Sequence, residues 1–469
     1  MNSKFILLGI FLLSVLSLNA KIKVAPILGD NMVLQRNTEV KLWGTADPNQ
    51  KLTLTTSWNK AKISTVANDK GEWLVKAKTT EAGGPFTVTI TSGKEKVQLQ
   101  NILLGEVWLC SGQSNMEMPM VGYNDQPVNG SNNALAEAEN CQIRLYNVKR
   151  VSIATPQDTC VGQWSVASAK SASSFSAVGY FYAKQLQKAL KVPVGVINSS
   201  WGGSRIEAWI DAETMKKFPE SLKTTTHEKT GANQRASHLY NGMIAPIKNY
   251  GIKGAIWYQG ESNRSEYQYY AGLTKAMIEN WKRDFELKEL PFYFVQIAPY
   301  WYNNSKDILS GKFYDEQLKA SLEIPHTGMV ATVDFGEEFC IHPAEKETVA
   351  KRLSYWALSE TYKIEGISYK NPVYKSLQVK DSALVVSFDN LGTGLSSFGK
   401  ELTNFEVAGE DKVFYPATAK IRSKQVVLYA PEVKKPVAAR YCYVNYPSGK
   451  GFLYNTAGLP VLPFRTDNW

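Results

Sequence analysis

The sequence predicts an α/β protein whose mostly parallel sheet is preceded and followed along the chain by β-rich segments. Between residues 101 and 368, runs with the texture of buried strands alternate with helical stretches. Such alternation is typical of a parallel sheet with helices on both faces. Before and after this region, short strands are instead separated by turns. The length of 469 residues is enough for about two to four domains.

The composition is that of a globular protein without a nucleic-acid partner. Hydrophobic residues make up 44% of the chain and charged residues 20%, which is ordinary for a packed domain. The formal net charge is +10, but the basic residues are scattered and form no long block. We therefore expect solubility or weak attraction to anions rather than nucleic-acid binding.

The N-terminus has the pattern of a secretory signal peptide over residues 1–20. A short start containing Lys4 precedes an apolar run over 5–18, and the small Ala20 suits a cleavage site. The run is shorter than an ordinary membrane span, and no later segment is long and apolar enough. We expect a secreted or periplasmic protein with no membrane span after cleavage.

Two segments are predicted to form β-rich domains. Residues 21–100 predict a β-sandwich domain, because apolar and polar residues alternate in the strands expected at 40–43, 51–56 and 86–91. Residues 369–469 predict a C-terminal β domain with strands at 383–388, 425–429 and 438–444.

The segment between them, residues 101–368, is predicted to form the α/β domain. Strands are expected at 104–110, 193–198, 254–259, 291–298 and 328–334, and helices at about 178–190, 265–285, 313–322 and 344–362. Pro343 suits the first turn of the last helix. Ligands of such sheets bind at the carboxyl ends of the strands, so we expect the functional residues there.

A serine follows the first of these strands. The apolar run ending at Cys110 stops at Gly112, and Ser114 then begins a helix. A serine on a strand-to-helix turn is exposed, and its hydroxyl and amide can face one substrate atom, as a hydrolase nucleophile requires. The alternative is that Ser114 only caps the helix.

His342 is the candidate base, since it lies between the last strand and the last helix and is one of only four histidines. A carboxylate would orient its ring and stabilise the charged form. Four acidic residues at strand ends or in loops are candidates, although such residues are more often simply solvated: Asp334, Glu337, Glu338 and Glu261.

Two other strand ends offer hydrogen-bond donors for an oxyanion. Gly203, in a Gly-Gly pair, would let a backbone amide approach the substrate closely, although Gly-Gly is also common in tight turns. Gln259 and Asn263 could donate from the next strand end, or could belong to a purely structural polar network.

At these residues the sequence resembles the sialate O-acetylesterase-like branch of the SGNH hydrolases. The resemblance is carried by motifs in the family's order over nearly the whole chain: Gly112-Gln113-Ser114-Asn115-Met116, Gly202-Gly203-Ser204 followed by Glu207-Ala208-Trp209, Leu239 to Pro246, Trp257 to Asn263, Ile341-His342-Pro343, Leu453 to Pro460 and Pro463 to Asp467.

The resemblance implies an α/β/α SGNH core flanked by β domains, and a metal-independent serine esterase that needs no cofactor and removes O-acetyl groups from sugars. Ser114 would be the nucleophile and His342 the base. The oxyanion hole would combine the Ser114 amide, Gly203 and a side chain, Gln259 or Asn263. Arg205 would bind a sialic carboxylate or form a structural salt bridge, and Asn241 is a second candidate for substrate binding.

The sequence departs from the family at the acid. Many relatives have an acidic residue two or three positions before the histidine, where this chain has Phe339 and Cys340. Related acetylxylan esterases use the glutamate of the Gln-Gly-Glu motif, which favours Glu261 here. Glu338, Asp334 or a Ser–His dyad are the alternatives.

We therefore expect a sialate O-acetylesterase, or alternatively an acetylxylan or other plant-polysaccharide deacetylase. A non-catalytic carbohydrate-binding protein is the alternative from another class, and acetyl transfer to a sugar would use the same residues. The five cysteines predict no zinc site and at most one disulfide, between Cys141 and Cys160.

Overall fold

The computed structural model of the protein describes residues 21–225 and 230–469. The expected signal peptide, at residues 1–20, lies outside the described residues. Within the described ranges, none of the helices combines the length and the apolar character that crossing a membrane requires.

The described residues begin with seven strands: β1 (Lys23–Val24), β2 (Val33–Gln35), β3 (Glu39–Thr45), β4 (Lys51–Thr56), β5 (Lys62–Val66), β6 (Glu72–Lys78) and β7 (Gly83–Ser92). Strand β3 pairs with β1 and β6, and β4 pairs with β5 and β7, all antiparallel. The three strands expected in this segment are confirmed as parts of β3, β4 and β7. Alternate residues of β6 are buried, as the period-two pattern requires.

One long strand, β8 (Glu95–Gly112), joins this segment to the central sheet. Its first half pairs with β7 antiparallel, and β2 lies parallel to its middle. Its second half is buried and belongs to the parallel sheet. The strand runs through residue 100, where the sequence placed the end of the first domain.

The central sheet also contains β9 (Asn140–Asn147), β10 (Trp164–Ala167), β11 (Val194–Ser200), β12 (Gly254–Tyr258), β13 (Phe292–Val295) and β14 (Thr327–Val330). The order is β10-β9-β11-β8-β12-β13-β14. Every neighbouring pair is parallel except β10 with β9. The five strands expected here are confirmed, and the parallel order brings their carboxyl ends to one edge.

The α-helices are α1 (Ser114–Glu117), α2 (Ser131–Ala136), α3 (Ala169–Ser173), α4 (Ala177–Leu190), α5 (Ala212–Met215), α6 (Pro219–Thr225), α7 (Tyr270–Asp284), α8 (Leu309–Glu323) and α9 (Lys346–Trp356). The helix expected at 265–285 is divided, because a 3₁₀ segment (Glu261–Tyr269) precedes α7. The helix expected at 344–362 starts at Lys346 and ends in a π-turn (Ala357–Thr361), so Pro343 lies outside it.

Helices cover both faces of the sheet. Successive strand residues point to opposite faces, and β12 shows the consequence. Trp257 packs edge-to-face on Trp281 of α7. Its neighbour Tyr258 lies in a separate buried cluster with Tyr182 of α4 and Leu353 of α9. The predicted α/β class is confirmed.

The C-terminal part contains ten short strands: β15 (Val373–Lys380), β16 (Ala383–Asp389), β17 (Leu395–Ser396), β18 (Phe405–Ala408), β19 (Phe414–Pro416), β20 (Thr418–Arg422), β21 (Gln425–Tyr429), β22 (Ala438–Tyr441), β23 (Tyr454–Asn455) and β24 (Phe464–Arg465). They form sheets in the orders β15-β16-β21-β20, β19-β18-β22-β24 and β17-β23. The strand expected at 438–444 ends at Tyr441 because Cys442 has a φ of 49°, which is incompatible with extended backbone.

The Cys141–Cys160 disulfide that the sequence permits is not formed, since all five cysteines are free. Cys141 is exposed near the start of β9, whereas the buried Cys160 contacts the Tyr146 hydroxyl, 3.4 Å away, near the end of that strand. Five residues of strand span about 16 Å, well beyond the reach of a disulfide.

Candidate active site

Ser114 lies on a sharp turn between β8 and α1. Gly112, the last residue of β8, has a φ of 140°, and a Cβ there would overlap the Tyr258 carbonyl oxygen. The next residue is clamped to the neighbouring strand end, because the Gln113 amide donates to the Tyr258 carbonyl at 3.0 Å and its side-chain oxygen accepts from the Gly260 amide at 3.3 Å. Glycine is required for this approach.

The functional groups of Ser114 are free to act on a ligand. The residue is partly exposed and is the first of α1. Within the described ranges, neither its hydroxyl nor its backbone amide donates a hydrogen bond to a protein group. A hydroxyl and an amide that are both unpaired at a helix start can contact one substrate carbonyl.

His342 is held by a residue that the sequence did not single out. Its Nδ1 is hydrogen bonded to the side-chain oxygen of Gln126. An amide oxygen only accepts hydrogen bonds, so Nδ1 carries the proton and Nε2 keeps the lone pair that a general base needs. The ring also packs edge-to-face on Tyr123, with centroids 5.3 Å apart.

Two bridges bring Ser114 and His342 to the same place. The Tyr123 hydroxyl, whose ring touches His342, donates to the Ser114 carbonyl at 3.3 Å. The side chain of Asn115, next to Ser114, donates at 3.0 Å to the carbonyl of Ile341, next to His342. The structure thus brings these two residues together, as expected for residues that follow the carboxyl ends of parallel strands.

The environment of His342 keeps its ring neutral. Burial lowers its pKa to about 4, and the positive charge of Lys346 acts in the same direction. The ring is therefore an unprotonated base over the whole neutral range.

The acid expected beside His342 is not there. One oxygen of Glu261 accepts from the Asn115 side chain at 2.7 Å, and the other is buried with no hydrogen-bond partner. Glu261 therefore faces Asn115 rather than the histidine, because the Gly260 and Ser262 amides both donate to the side chain of Gln113, which holds this backbone against the turn that carries Ser114. The expectation that Glu261 orients His342 needs correction.

The alternative acids do not replace it. Asp334 forms two hydrogen bonds with Arg352, at 2.8 and 2.7 Å. Glu337 accepts from the Ala344 amide at 2.9 Å. Glu338 is hydrogen bonded through its backbone carbonyl, which accepts from the Trp301 amide at 3.0 Å. The partner of Nδ1 is thus the neutral Gln126.

The glycine turn after β11 lies directly beside Ser114. A Cβ on Gly202 would be 3.3 Å from that of Ser114. The Gly202 amide donates to Glu117 of α1 at 2.7 Å and is occupied. Gly203 has a φ of 69°, and its amide has no acceptor within the described residues. Within the part of the chain that the structure describes, the backbone amides of Gly203 and Ser114 are thus both unpaired at this strand edge.

Gln259 and Asn263 do not supply a donor. Both protons of the Gln259 amide are used, on the Ser204 carbonyl at 3.0 Å and on Asn263 at 2.8 Å. Asn263 is 1% exposed and donates to Glu207 at 2.9 Å. These side chains form the structural network that was the alternative interpretation, and they support the glycine turn from behind.

Arg205 and Asn241 are also structural. Arg205 pairs with Glu207 at 3.0 Å and with Glu266 at 2.6 Å, so its charge is compensated inside the protein. Asn241 is 3% exposed, and its side chain donates to the carbonyls of Ile153 and Ala154, at 3.1 and 2.8 Å. The expectation that these two residues bind substrate needs correction.

The described residues contain no group of three or more His, Cys, Asp or Glu side chains arranged to hold a metal ion.

Comparisons with known proteins indicate the family. A family model described as carbohydrate esterase, sialic acid-specific acetylesterase, matches residues 104–350. Curated sialate O-acetylesterases of Mus musculus and Homo sapiens are each 28% identical to the chain and cover 76% of it, which is 76% and 74% of their own lengths. The crystal structure of a carbohydrate acetylesterase from Xanthomonas citri has a TM-score of 0.87 and 34% identity, covering 96% of this chain and 100% of that one.

The fold, the site and these matches define a carbohydrate esterase. More narrowly, the chain belongs to the family of sialic acid-specific acetylesterases.

Proposed function

We propose that the protein hydrolyses O-acetyl esters of sugars through an acetyl-enzyme on Ser114, with His342 as base and Gln126 as the group that orients it. The observation that carries this proposal is the partly exposed Ser114, whose hydroxyl and amide are unpaired, beside a neutral histidine whose Nδ1 is bound by Gln126.

The reaction follows from these positions. The Ser114 oxygen attacks the acetyl carbon while its proton moves to Nε2 of His342. The amides of Ser114 and Gly203 stabilise the oxyanion. The C–O bond to the sugar then breaks, and the sugar oxygen takes the proton from His342. Water next attacks the acetyl group, gives a proton to His342, and releases acetate as the Ser114 hydroxyl forms again.

Gln126 can do part of the work of an acid. It fixes the ring orientation and the tautomer, but a neutral amide stabilises the imidazolium less than a carboxylate would. Burial and the charge of Lys346, which lower the pKa of His342, are therefore not offset by a carboxylate on Nδ1.

An aromatic pair beside His342 supports a sugar as the ligand. Phe339, three residues before the histidine, is 74% exposed, and its ring lies edge-to-face with that of Trp301, with centroids 5.8 Å apart. The hydrogen bond from the Trp301 amide to Glu338 holds the two loops together. Exposed aromatic faces are suited to the apolar faces of sugar rings. We assign this pair to the alcohol side of the ester.

Sialic acid is the sugar proposed first, because the curated relatives are sialate O-acetylesterases. A neutral acetylated polysaccharide such as acetylxylan is the second candidate. One observation favours it: Arg205, the cation expected to bind a sialic carboxylate, is occupied by Glu207 and Glu266.

Acetate release from O-acetylated sialic acid and from acetylated xylooligosaccharides, measured at equal ester concentration, tests this choice. Faster release from sialic acid supports the first candidate, and faster release from the xylan fragments supports the second. Release from neither would contradict both.

We also propose the finer architecture implied by the family resemblance. The parallel sheet with its helices would be the SGNH core, residues 101–368, with β-sandwich-like domains at 21–100 and 369–469. Residues 1–20 would direct export to the periplasm or the outside, and N-terminal sequencing of the mature protein checks whether it begins at Lys21.

A further inference from the structure

A fully buried lysine lies next to the turn between β8 and α1 that carries Ser114, which we call the nucleophile turn (residues 112–115). Lys346 is the first residue of α9 and is 1% exposed. Its Nζ donates to the side-chain oxygen of Asn115 at 2.6 Å and lies 5.7 Å from the centre of the Tyr258 ring. No carboxylate of the described residues lies within salt-bridge distance of this ammonium group. A buried amine without an ion-pair partner is unfavourable, so its retention needs an explanation.

Asn115 connects this lysine to both catalytic residues. Its oxygen accepts from Lys346, and its amide nitrogen donates to Glu261 at 2.7 Å and to the Ile341 carbonyl at 3.0 Å. Asn115 directly follows Ser114, and Ile341 directly precedes His342. One side-chain amide therefore fixes the spacing between the nucleophile turn and the histidine loop.

Glu261 completes the cluster from the other side. The residue as a whole is partly exposed, but its second carboxylate oxygen is buried without a partner. Burial raises the pKa of Glu261, while Asn115 and Lys346 lower it. Position 260, just before this carboxylate, requires glycine. Its φ is 153°, and a Cβ there would lie 2.6 Å from Ile297 and Phe313. Glu261 and Lys346 thus hold the same asparagine side chain, Glu261 at its nitrogen and Lys346 at its oxygen.

We propose that Lys346 is a positioning residue of the esterase site: with Glu261, it locks Asn115 in the one orientation that ties Ser114 to His342. The inference rests on the proposed function and gives Glu261 a role other than that of an acid bound to the histidine.

The same lysine sets the charge around the base. Its positive charge lowers the pKa of His342. Burial lowers the pKa of Lys346, which lies at about 7 although three facing groups raise it: Glu261 from the strand end, and Cys340 and Glu337 from the loop before His342. Removing Lys346 should therefore disturb both the geometry and the titration of the base.

The test replaces Lys346 by Met, which keeps the length and apolar stem of the side chain. Lys351→Met is the matched control, because Lys351 lies on the same helix but is only half-buried and pairs with Glu347. We expect Lys346→Met to lower kcat about 10- to 100-fold with little change in KM, and to move the acid limb of the kcat/KM profile to higher pH. Lys351→Met should change neither.

Two substitutions of Glu261 keep the proposal testable if Lys346→Met does not fold. Glu261→Gln retains an oxygen that accepts from Asn115, so kcat should stay within about threefold of wild type. Glu261→Leu removes this acceptor and should lower kcat at least about 10-fold. Equal losses in the two variants would overturn the proposal, because they would show that the charge of Glu261 acts directly.

The outcomes separate this inference from the proposed function. If Ser114→Ala abolishes acetate release while Lys346→Met keeps both the kcat and the acid limb of wild type, only the positioning role is refuted. If Ser114→Ala remains active, the proposed function itself fails.

Discussion

Replacing Gln126 by Glu tests the assignment of the residue that orients the histidine. The two side chains have the same shape, and the loop that carries position 126 is independently held by paired backbone hydrogen bonds with Tyr123, at 3.0 and 3.1 Å. Gly122 permits this tight turn, because a Cβ there would overlap the Gln126 carbonyl. The substitution should therefore place a carboxylate on Nδ1 of His342 without moving the backbone.

The expected shift follows from the new charge. Two unit charges about 4 Å apart interact by about 4 kcal/mol at an effective dielectric constant of about 20. Part of this is offset by the desolvation of the new carboxylate, and an opposite charge at this distance usually shifts a pKa by about 1–3 units. Starting from about 4, the pKa of His342 should rise to about 5–7.

The measurement is the pH dependence of kcat/KM for acetate release. A base that must be neutral gives an acid limb at its own pKa, so the limb of Gln126→Glu should lie at higher pH than that of wild type, with turnover at pH 8 retained or increased. Gln98→Glu, at an exposed position of β8, is the control and should leave the profile unchanged. An unmoved limb in Gln126→Glu would refute the pairing of His342 with Gln126.

Three further predictions concern the surroundings of the site. Phe339→Ala should raise KM for an acetylated oligosaccharide several-fold but leave the hydrolysis of 4-nitrophenyl acetate unchanged. The control is Phe398→Ala, at a 65% exposed phenylalanine of the C-terminal part, which should change the hydrolysis of neither substrate. Equal effects of Phe339→Ala on the two substrates would contradict a sugar-binding role. Arg205→Met leaves the buried Glu207 without its cation and should lower the free energy of unfolding in urea by about 3–5 kcal/mol; an unchanged midpoint would contradict the structural role. The folded-state pKa of Lys346 is about 7 and the unfolded value about 10.4, so this group should make the free energy of unfolding increase with pH between these two values and leave it level below about pH 7. Lys346→Met should therefore flatten this increase, as measured by urea unfolding across that pH range.

Much of the fold could be predicted because its signals are local. The strands of the central sheet are apolar runs that end at polar residues, and helices follow them at the spacing of a βαβ unit. Errors occur where one residue changes the backbone, as at Cys442, or where a helix is broken into 3₁₀ and α parts, as after Glu261. Such breaks depend on tertiary packing and leave no periodic signal.

The residues of the candidate site likewise fall into some that the sequence predicts and others that it does not. Ser114, His342 and Gly203 could be placed together because strand ends in a parallel sheet meet at one edge. Gln126 and Lys346 could not be recognised, since their partners His342 and Asn115 lie 216 and 231 positions away in the chain. A glutamine within a loop and a lysine in a charged helix give no local sequence signal of a function.

The polar residues of the third strand end show the remaining difficulty. Gln259, Glu261 and Asn263 have the residue types of oxyanion donors and catalytic acids, yet two of them support the glycine turn and the third faces Asn115. The sequence shows that polar groups converge at this strand end. Only the three-dimensional arrangement shows which of them face the substrate and which face one another.

The most direct test of the central claim is acetate release by wild type and Ser114→Ala, side by side on O-acetylated sialic acid and acetylated xylooligosaccharides, with circular dichroism to verify folding. Loss of nearly all release in a folded Ser114→Ala variant, on whichever substrate the wild type hydrolyses, is the result expected of a serine nucleophile. Near-wild-type release by that variant would contradict it.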